Sequence, residues 1–190
     1  MGLSRRSVLR TGSVALLSAS IVKKPALAAP AVIGLRDTGA RTLSFNCYNT
    51  GEELKATTYW ADGKYIPDAL SEINYALRDD RSGEVHPIQP KVLDLIHQIG
   101  KKLDTNCHFE VYSGYRSPKT NAMLRRANPE VAAHSLHMEG EAVDITLPGR
   151  SLEQLYRASL AMQAGGVGYY PDADFLHVDV GRVRHWVGLG

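Results

Sequence analysis

Two segments in the first third of the chain alternate apolar and polar residues. One extends from Arg41 to Cys47 and the other from Leu54 to Trp60. Alternation with a period of two is typical of a strand with one buried face. The intervening segment 49–52, Asn-Thr-Gly-Glu, is a turn signal. The pattern therefore predicts an N-terminal β-hairpin.

Apolar residues three or four positions apart predict two amphipathic helices in the next stretch, one after Pro67 and one after Pro87. This spacing places the apolar side chains on one helical face, so the two helices are expected to supply much of the core. The residues concerned are Leu70, Ile73 and Leu77 in the first helix and Ile88, Val92, Leu95, Ile96, Ile99 and Leu103 in the second.

Capping patterns mark the start of two further helices. Ser117-Pro118 places a capping hydroxyl and a first-turn proline before a helix that is expected to reach about Arg126. Ser151 and Gln154 form a capping-box pattern before another apolar periodic stretch. Both helices are therefore predicted to begin at these residues.

Short β-type runs lie at 109–113 and 142–147, between predicted helices, and at 176–180, after the last predicted helix. Strands and helices interleave without a regular βαβ repeat, which favours the α+β class. We therefore predict a small, mostly antiparallel sheet with flanking helices.

The charge of the chain depends on its first 28 residues. The 190 residues contain 22 Lys+Arg and 20 Asp+Glu, a net charge of +2. Five of the basic residues and none of the acidic ones precede position 28, so the remaining 17 bases and 20 acids give −3. The residues after position 28 thus carry a net negative charge and contain only short basic pairs, which argues against a nucleic-acid partner.

Residues 1–28 have the pattern of a twin-arginine signal peptide. Arg5-Arg6 precedes a weakly apolar run from Val14 to Val22, and Ala26-Leu27-Ala28 is a small-x-small cleavage signal. The alternative is a membrane anchor that is not removed. The run argues against it, because it is shorter than the ~20 apolar residues of a membrane span. We expect cleavage after Ala28, a linker over 29–40, a domain over 41–190 and a location in the periplasm.

Two cysteines, Cys47 and Cys107, lie in the expected mature chain. Export makes a disulfide chemically permissible, but both residues also lie in or beside apolar segments, where buried thiols are common. The sequence leaves these alternatives open.

Metal-competent side chains are concentrated between His134 and Asp179. His137 lies in a polar loop, Asp144 lies in the middle of a β-run, and His177 shares a strand face with Asp179. A carboxylate within a strand is costly to bury unless it is paired or binds a cation. Two imidazoles and one carboxylate would leave a fourth position open, as catalytic zinc requires. The alternative is three hydrogen-bonded polar residues without a metal.

The order Ser135-x-His137-x-x-Gly140-x-Ala142-x-Asp144, followed by His177, resembles the zinc-binding pattern of the peptidase M15 superfamily. This superfamily contains D-alanyl-D-alanine peptidases and shares its fold with the hedgehog signalling domain. Within it, the chain is most similar to a subfamily of exported murein endopeptidases. The other matching segments are 41–45, 49–52, 113–118 and 165–183.

The resemblance implies roles for individual residues. It implies that His137, Asp144 and His177 are the Zn²⁺ ligands and that Arg116 contacts the substrate. A guanidinium suits this role because it can bind a carbonyl or a developing oxyanion. Asp174, three residues before the last histidine, would be the general base. Asp179 competes for that role, or accepts a hydrogen bond that orients an imidazole.

We therefore expect an exported, monomeric zinc metallopeptidase that hydrolyses stem peptides or peptide cross-links of peptidoglycan. The alternative is a non-catalytic, zinc-containing module that binds peptidoglycan. His185-Trp186 either lines the substrate groove or packs in the core, and His134 is expected to be solvated. The sequence does not determine which peptidoglycan bond is cleaved.

Overall fold

The predicted hairpin starts the fold in the computed structural model, which describes residues 39–188. It consists of β1 (Arg41–Cys47) and β2 (Glu53–Ala61), which pair antiparallel. A two-residue strand, β3 (Lys64–Tyr65), pairs with the end of β2. The predicted signal peptide 1–28 and most of the predicted linker lie outside the described residues.

Four helices follow in the described part of the chain: α1 (Pro67–Ala76), α2 (Pro90–Lys102), α3 (Pro118–Ala127) and α4 (Leu152–Leu160). The second helix begins at Pro90 rather than just after Pro87. Gln89 is held in an extended conformation, as expected for a residue that precedes proline, so the helix cannot start earlier. Ile88 is nevertheless buried in the preceding loop.

Both predicted helix caps are confirmed. The Ser117 side chain accepts a hydrogen bond from the Thr120 N–H at the start of α3. Ser151 and Gln154 form the reciprocal capping box at the start of α4. Each cap satisfies backbone donors that the first helical turn leaves without a partner.

The remaining strands are β4 (His108–Ser113), β5 (Ala142–Thr146), β6 (Gly166–Tyr170), β7 (Phe175–Asp179) and β8 (Arg184–Val187). Over residues 39–188 the eight strands form one sheet in the order β3-β2-β1-β4-β5-β7-β6-β8. The pairs β1–β4 and β6–β8 are parallel and the others are antiparallel. The mostly antiparallel α+β architecture is confirmed.

Helices α2 and α4 contact each other and strands of the sheet, and they cover one of its faces. Strand residues such as Phe45, Ile145 and Leu176 point into this core and are fully buried. Alternation along the strands sends their neighbours, Asp144 and His177, to the opposite face. The core therefore anchors one face of the sheet and leaves the other for polar chemistry.

Cys47 and Cys107 are buried free thiols in this structure. In the parallel β1–β4 pair, Cys47 lies opposite Val111, four residues beyond Cys107. Four residues of strand correspond to ~13 Å, beyond the Cα separation of about 7 Å that a disulfide tolerates. Burial raises the pKa of Cys47 to about 11, which keeps this thiol protonated at neutral pH.

None of the helices in the described range 39–188 is long and apolar enough to cross a membrane.

Candidate metal centre

Three potential metal-binding side chains converge at the face of the sheet opposite α2 and α4. Asp144 on β5 and His177 on β7 are direct cross-strand partners. His137 comes from a short 3-10 helix, Leu136–Glu139, rather than from an irregular loop. His137 Nε2, Asp144 Oδ1 and His177 Nδ1 lie 2.9–3.2 Å from one another. At most 10% of each of these side chains is exposed.

Gly140 allows the chain to pass from His137 into β5. Its φ is +65°, a left-handed conformation that glycine adopts without strain. A Cβ at this position would collide with the carbonyl oxygen of Pro87, and the Gly140 carbonyl accepts a hydrogen bond from the Gln89 N–H. Both conformation and space therefore require glycine here.

Hydrogen bonds on the far side of each imidazole determine which nitrogen faces the cluster. His137 Nδ1 lies 2.7 Å from the Gly114 carbonyl oxygen, and His177 Nε2 lies 3.1 Å from Asp179 Oδ2. Because both partners are acceptors, these two ring nitrogens carry the protons. When the rings are neutral, they therefore direct the lone pairs of His137 Nε2 and His177 Nδ1 at each other and at Asp144.

With both rings neutral, the three electron-pair donors have no proton between them and repel one another unless a cation lies among them. Tetrahedral zinc with bonds of about 2.0–2.1 Å to nitrogen and oxygen separates its ligand atoms by about 3.3 Å. The separations of 2.9–3.2 Å are close to this value. The donor set therefore fits a zinc ion, and three protein ligands leave one coordination position for a reactant.

Burial and charge shift the pKa values within the cluster. Burial opposes ionisation of Asp144, but the charges and hydrogen bonds of His137 and His177 outweigh it and hold the pKa well below its usual range. Burial lowers the pKa of His137 despite the adjacent Asp144. Burial also disfavours charge on His177, but hydrogen bonds to Asp144 and Asp179 raise its pKa to about 8. The Asp144 carboxylate is thus ionised at neutral pH.

Asp179 lies behind His177 and is completely buried. Its two oxygens accept hydrogen bonds from the N–H groups of Gly166 and Gly181, from Arg184 and from His177. These bonds outweigh burial and lower the pKa of Asp179. With its acceptor positions occupied, Asp179 is placed to orient His177 rather than to receive a proton from water.

A cavity of about 360 Å³ opens beside the three donors. Arg116 lines it, with Nη2 lying 3.6 Å from Asp144 Oδ2 and 3.3 Å from Ser113 Oγ. The Arg116 N–H donates to the His137 carbonyl, which ties the arginine to the 3-10 helix. The cavity therefore combines a guanidinium with the donor cluster. Its other lining residues include Glu130, His134, Tyr170, Phe175 and Trp186.

Asp174 lies apart from this cavity, in the turn before β7. It is exposed and lines a neighbouring cavity of about 220 Å³ with Glu110 and Thr146. Its φ of +51° is unusual for a residue other than glycine, although aspartate tolerates this conformation better than most. The structure thus brings Arg116 to the donors but does not bring Asp174 there.

Two residues that line the cavity, Glu130 and Tyr170, were not among the sequence-based candidates, because a single carboxylate in a turn and a tyrosine in a glycine-rich run carry no distinctive pattern. Trp186 lines the cavity, whereas its neighbour His185 is exposed. His134 also lines the cavity but lies outside the donor cluster.

Asp79 was likewise missed, although it supports Arg116. It is buried and accepts a hydrogen bond of 2.6 Å from the Ser117 N–H, directly after Arg116. It also accepts from the N–H groups of Arg81 and Ser82. Hydrogen bonds from Ser82, Thr120 and Ser117 outweigh burial and lower the pKa of Asp79. In the sequence, Asp79-Asp80 is indistinguishable from an ordinary solvated turn.

A mostly antiparallel α+β fold with a His-Asp-His donor set beside an arginine-lined cavity is the arrangement expected of the peptidase M15 class. Comparison with known proteins agrees, since residues 36–186 match the peptidase M15 family model described as peptidoglycan L,D-endopeptidase MepK. The chain belongs to this family.

Individual relatives extend the match over nearly the whole chain. Peptidoglycan L,D-endopeptidase MepK of Escherichia coli (strain K12) is 39% identical over 184 residues, which cover 96% of this chain and 97% of the relative. The probable peptidoglycan L,D-endopeptidase MepK of Haemophilus influenzae is 39% identical over 150 residues, covering 78% and 80%.

Proposed function

We propose that this protein is a zinc-dependent endopeptidase that hydrolyses L,D cross-links between peptidoglycan stem peptides and so remodels the cell wall. The observation that carries the proposal is the buried triangle of His137 Nε2, Asp144 Oδ1 and His177 Nδ1 at the edge of an open cavity. The bond specificity is taken from the name of relatives that are 39% identical.

The proposed ligands of zinc are His137, Asp144 and His177, whose orientation is maintained by Gly114 and Asp179. Zinc in this position supplies a Lewis acid that polarises a carbonyl and lowers the pKa of water. Arg116 binds the scissile carbonyl and stabilises the negative charge that develops on its oxygen. Its position beside Asp144 places this guanidinium at the edge of the donor cluster.

Asp174 is the proposed general base, on the resemblance of its position three residues before His177. It takes a proton from the attacking water and delivers it to the leaving amine. Glu130 competes for this role because it lines the cavity itself, whereas Asp174 lines the neighbouring one.

Two isosteric variants separate these carboxylates. Asp174→Asn is expected to lower kcat by about 10²- to 10⁴-fold with zinc content unchanged, and Glu130→Gln is expected to change kcat only slightly. The reverse pattern would transfer the role to Glu130. Steady-state kinetics on a purified cross-linked dimer, with zinc measured by metal analysis, provides both readings.

The site of action follows from the substrate. We propose that residues 1–28 direct export by the twin-arginine route, that 29–40 form a linker, and that 41–190 act as a monomeric zinc peptidase domain in the periplasm. Peptidoglycan peptides are the proposed partners.

Digestion of purified sacculi tests the function directly. The protein is expected to release muropeptides whose masses correspond to cleaved L,D cross-links, and a chelator should stop the release until zinc is restored. His137→Ala should lose both zinc and hydrolysis, while His185→Ala, which alters an exposed histidine, should retain both. Binding to sacculi with bound zinc but without any release would instead identify a binding module. Release from D,D-linked dimers alone would overturn the L,D assignment.

A further inference from the structure

Five aromatic side chains form a continuous row that crosses the sheet and ends in the cavity. The ring centroids of Tyr48 and Tyr112 are 5.5 Å apart, those of Tyr112 and Phe175 are 6.0 Å apart, and those of Phe175 and Tyr170 are 4.6 Å apart. Trp186 Nε1 donates a hydrogen bond of 2.9 Å to Tyr170 Oη. We call Tyr48, Tyr112, Phe175, Tyr170 and Trp186 the aromatic row.

The register of the sheet places this row beside the metal donors. Phe175 precedes His177 by two residues on β7, so both side chains lie on the same face, ~6.7 Å apart along the strand. Tyr170 is the cross-strand partner of Phe175, and the Trp186 ring lies 5.3 Å from the ring of His177. The row and the donors therefore form two adjacent lines across one face.

The row extends well beyond the cavity. Phe175, Tyr170 and Trp186 line the cavity, whereas Tyr48 and Tyr112 lie farther along the sheet. Four strand spacings from β1 to β6 amount to roughly 19 Å. Tyr48, at the outer end, is 72% exposed. Because this ring continues a row of neighbouring rings that ends in the cavity, it is accessible to a substrate that extends beyond the cavity.

We propose that the aromatic row binds the glycan strand of peptidoglycan while the cavity holds the peptide cross-link. This inference rests on the proposed function, because it assigns a second part of the same substrate to a surface continuous with the site. Tyrosine rings carry an apolar body and a polar hydroxyl, which suit the C–H faces and hydroxyl groups of sugar rings.

Charge distinguishes the glycan from the stem peptide as occupant. Glu110 and Asp174 line the neighbouring cavity with Thr146, and their negative charges add to burial in raising the pKa of Tyr112. Stem peptides carry several carboxylates of their own and would be repelled here. The sugar units of intact peptidoglycan are uncharged, because the lactyl carboxyl group of muramic acid forms an amide with the stem peptide, so the outer half of the row favours the glycan.

Binding to chitin, an uncharged polymer of N-acetylglucosamine units like those of the glycan, tests the proposal. Tyr48→Ala and Tyr112→Ala are each expected to weaken this binding about fivefold, and Tyr48→Phe and Tyr112→Phe should largely retain it because the ring is kept. Tyr75→Ala removes a ring that is 52% exposed on α1, outside the row, and should bind like the wild type. Sedimentation with insoluble chitin gives the affinities.

Hydrolysis of two substrates separates this proposal from the function on which it rests. The alanine variants should raise KM on intact sacculi while kcat/KM on sugar-free cross-linked peptides stays at the wild-type value. Wild-type affinity of the alanine variants for chitin would overturn the proposal, as would displacement of chitin by free stem peptides. A wild-type protein that cleaves neither substrate would refute the peptidase function, and the glycan-binding assay would still decide the role of the row.

Discussion

Asp179 acts on the donor cluster through His177 rather than by contact with the cavity. Its carboxylate accepts from His177 Nε2 and is itself held by Gly166, Gly181 and Arg184. In the neutral ring this hydrogen bond leaves the lone pair on Nδ1 and increases the basicity of that nitrogen. A residue two positions from a proposed zinc ligand would thus affect zinc affinity without contacting the ion.

Replacement of Asp179 tests this role. Asp179→Asn is expected to weaken zinc binding about 10- to 100-fold, because the amide is a poorer acceptor and can present N–H to the ring instead. Competition against a chelating dye measures the affinity. Asp172→Asn, in the exposed turn before β7, should leave it unchanged. Equal zinc affinity of Asp179→Asn and the wild type would contradict the assignment.

At the scale of elements, the short 3-10 helix and β5 depend on the glycine that joins them. Gly140 combines a positive φ with a tight contact to the Pro87 carbonyl oxygen. Gly149, after β5, also has a positive φ, of +80°, but a Cβ there would meet nothing within 4 Å. A comparison of substitutions at the two glycines therefore distinguishes the effect of backbone strain from that of steric collision.

Alanine at each position makes that comparison. Gly149→Ala is expected to cost about 1–2 kcal/mol in the free energy of unfolding, from left-handed strain alone. Gly140→Ala should cost more and should also weaken zinc binding, because the collision displaces His137. Urea unfolding and zinc titration give the two quantities. Equal losses of stability with intact zinc affinity in both variants would exclude the steric role of Gly140.

Asp79 joins the end of α1 to the start of α3 through its bond to the Ser117 N–H. Asp79→Ala is expected to lower the free energy of unfolding at neutral pH by about 3 kcal/mol, because buried N–H groups lose their acceptor. Asp80→Ala changes an exposed neighbour and should have little effect. Urea unfolding at neutral pH compares the two variants.

The pH dependence of stability gives a second reading on Asp79. Its folded pKa lies below the ordinary value of about 3.9, so its contribution is complete above that pH and is lost as the pH falls through the folded value. The difference in stability between the wild type and Asp79→Ala should therefore shrink below about pH 4. A difference that stays constant into strong acid would contradict a role for the ionised carboxylate.

For the whole molecule, zinc is expected to act as a ligand of the folded state. The donors lie on three separate elements and come together only through the sheet, so zinc binding should raise stability by mass action. Free zinc at about 1,000 times Kd corresponds to about 4 kcal/mol, or a Tm increase of about 10 °C for a domain of this size. Differential scanning fluorimetry with zinc or chelator measures the shift, and His137→Ala should show none. A wild-type Tm that does not respond to zinc would contradict a metal centre at these residues.

Local patterns were sufficient for much of the architecture. Alternation placed Asp144 and His177 on polar strand faces, and the caps at Ser117 and Ser151 marked two helix starts, because each depends on residues close in sequence. Strands β6 and β8 were missed, since glycine-rich and very short segments have little strand preference of their own. They become strands by pairing with neighbours in the sheet.

The amino-acid sequence by itself determined the class of fold, the three donor residues and the resemblance to zinc peptidases, because periodicity, capping and motif spacing are properties of the chain. Tertiary structure alone decided the direction of the ring lone pairs, the support of Arg116 by Asp79, the separation of Asp174 from the donor cavity and the continuity of the aromatic row. Each of these depends on strand register or on contacts between distant segments. Local sequence does not encode such pairings, since they form only when the sheet assembles around its core.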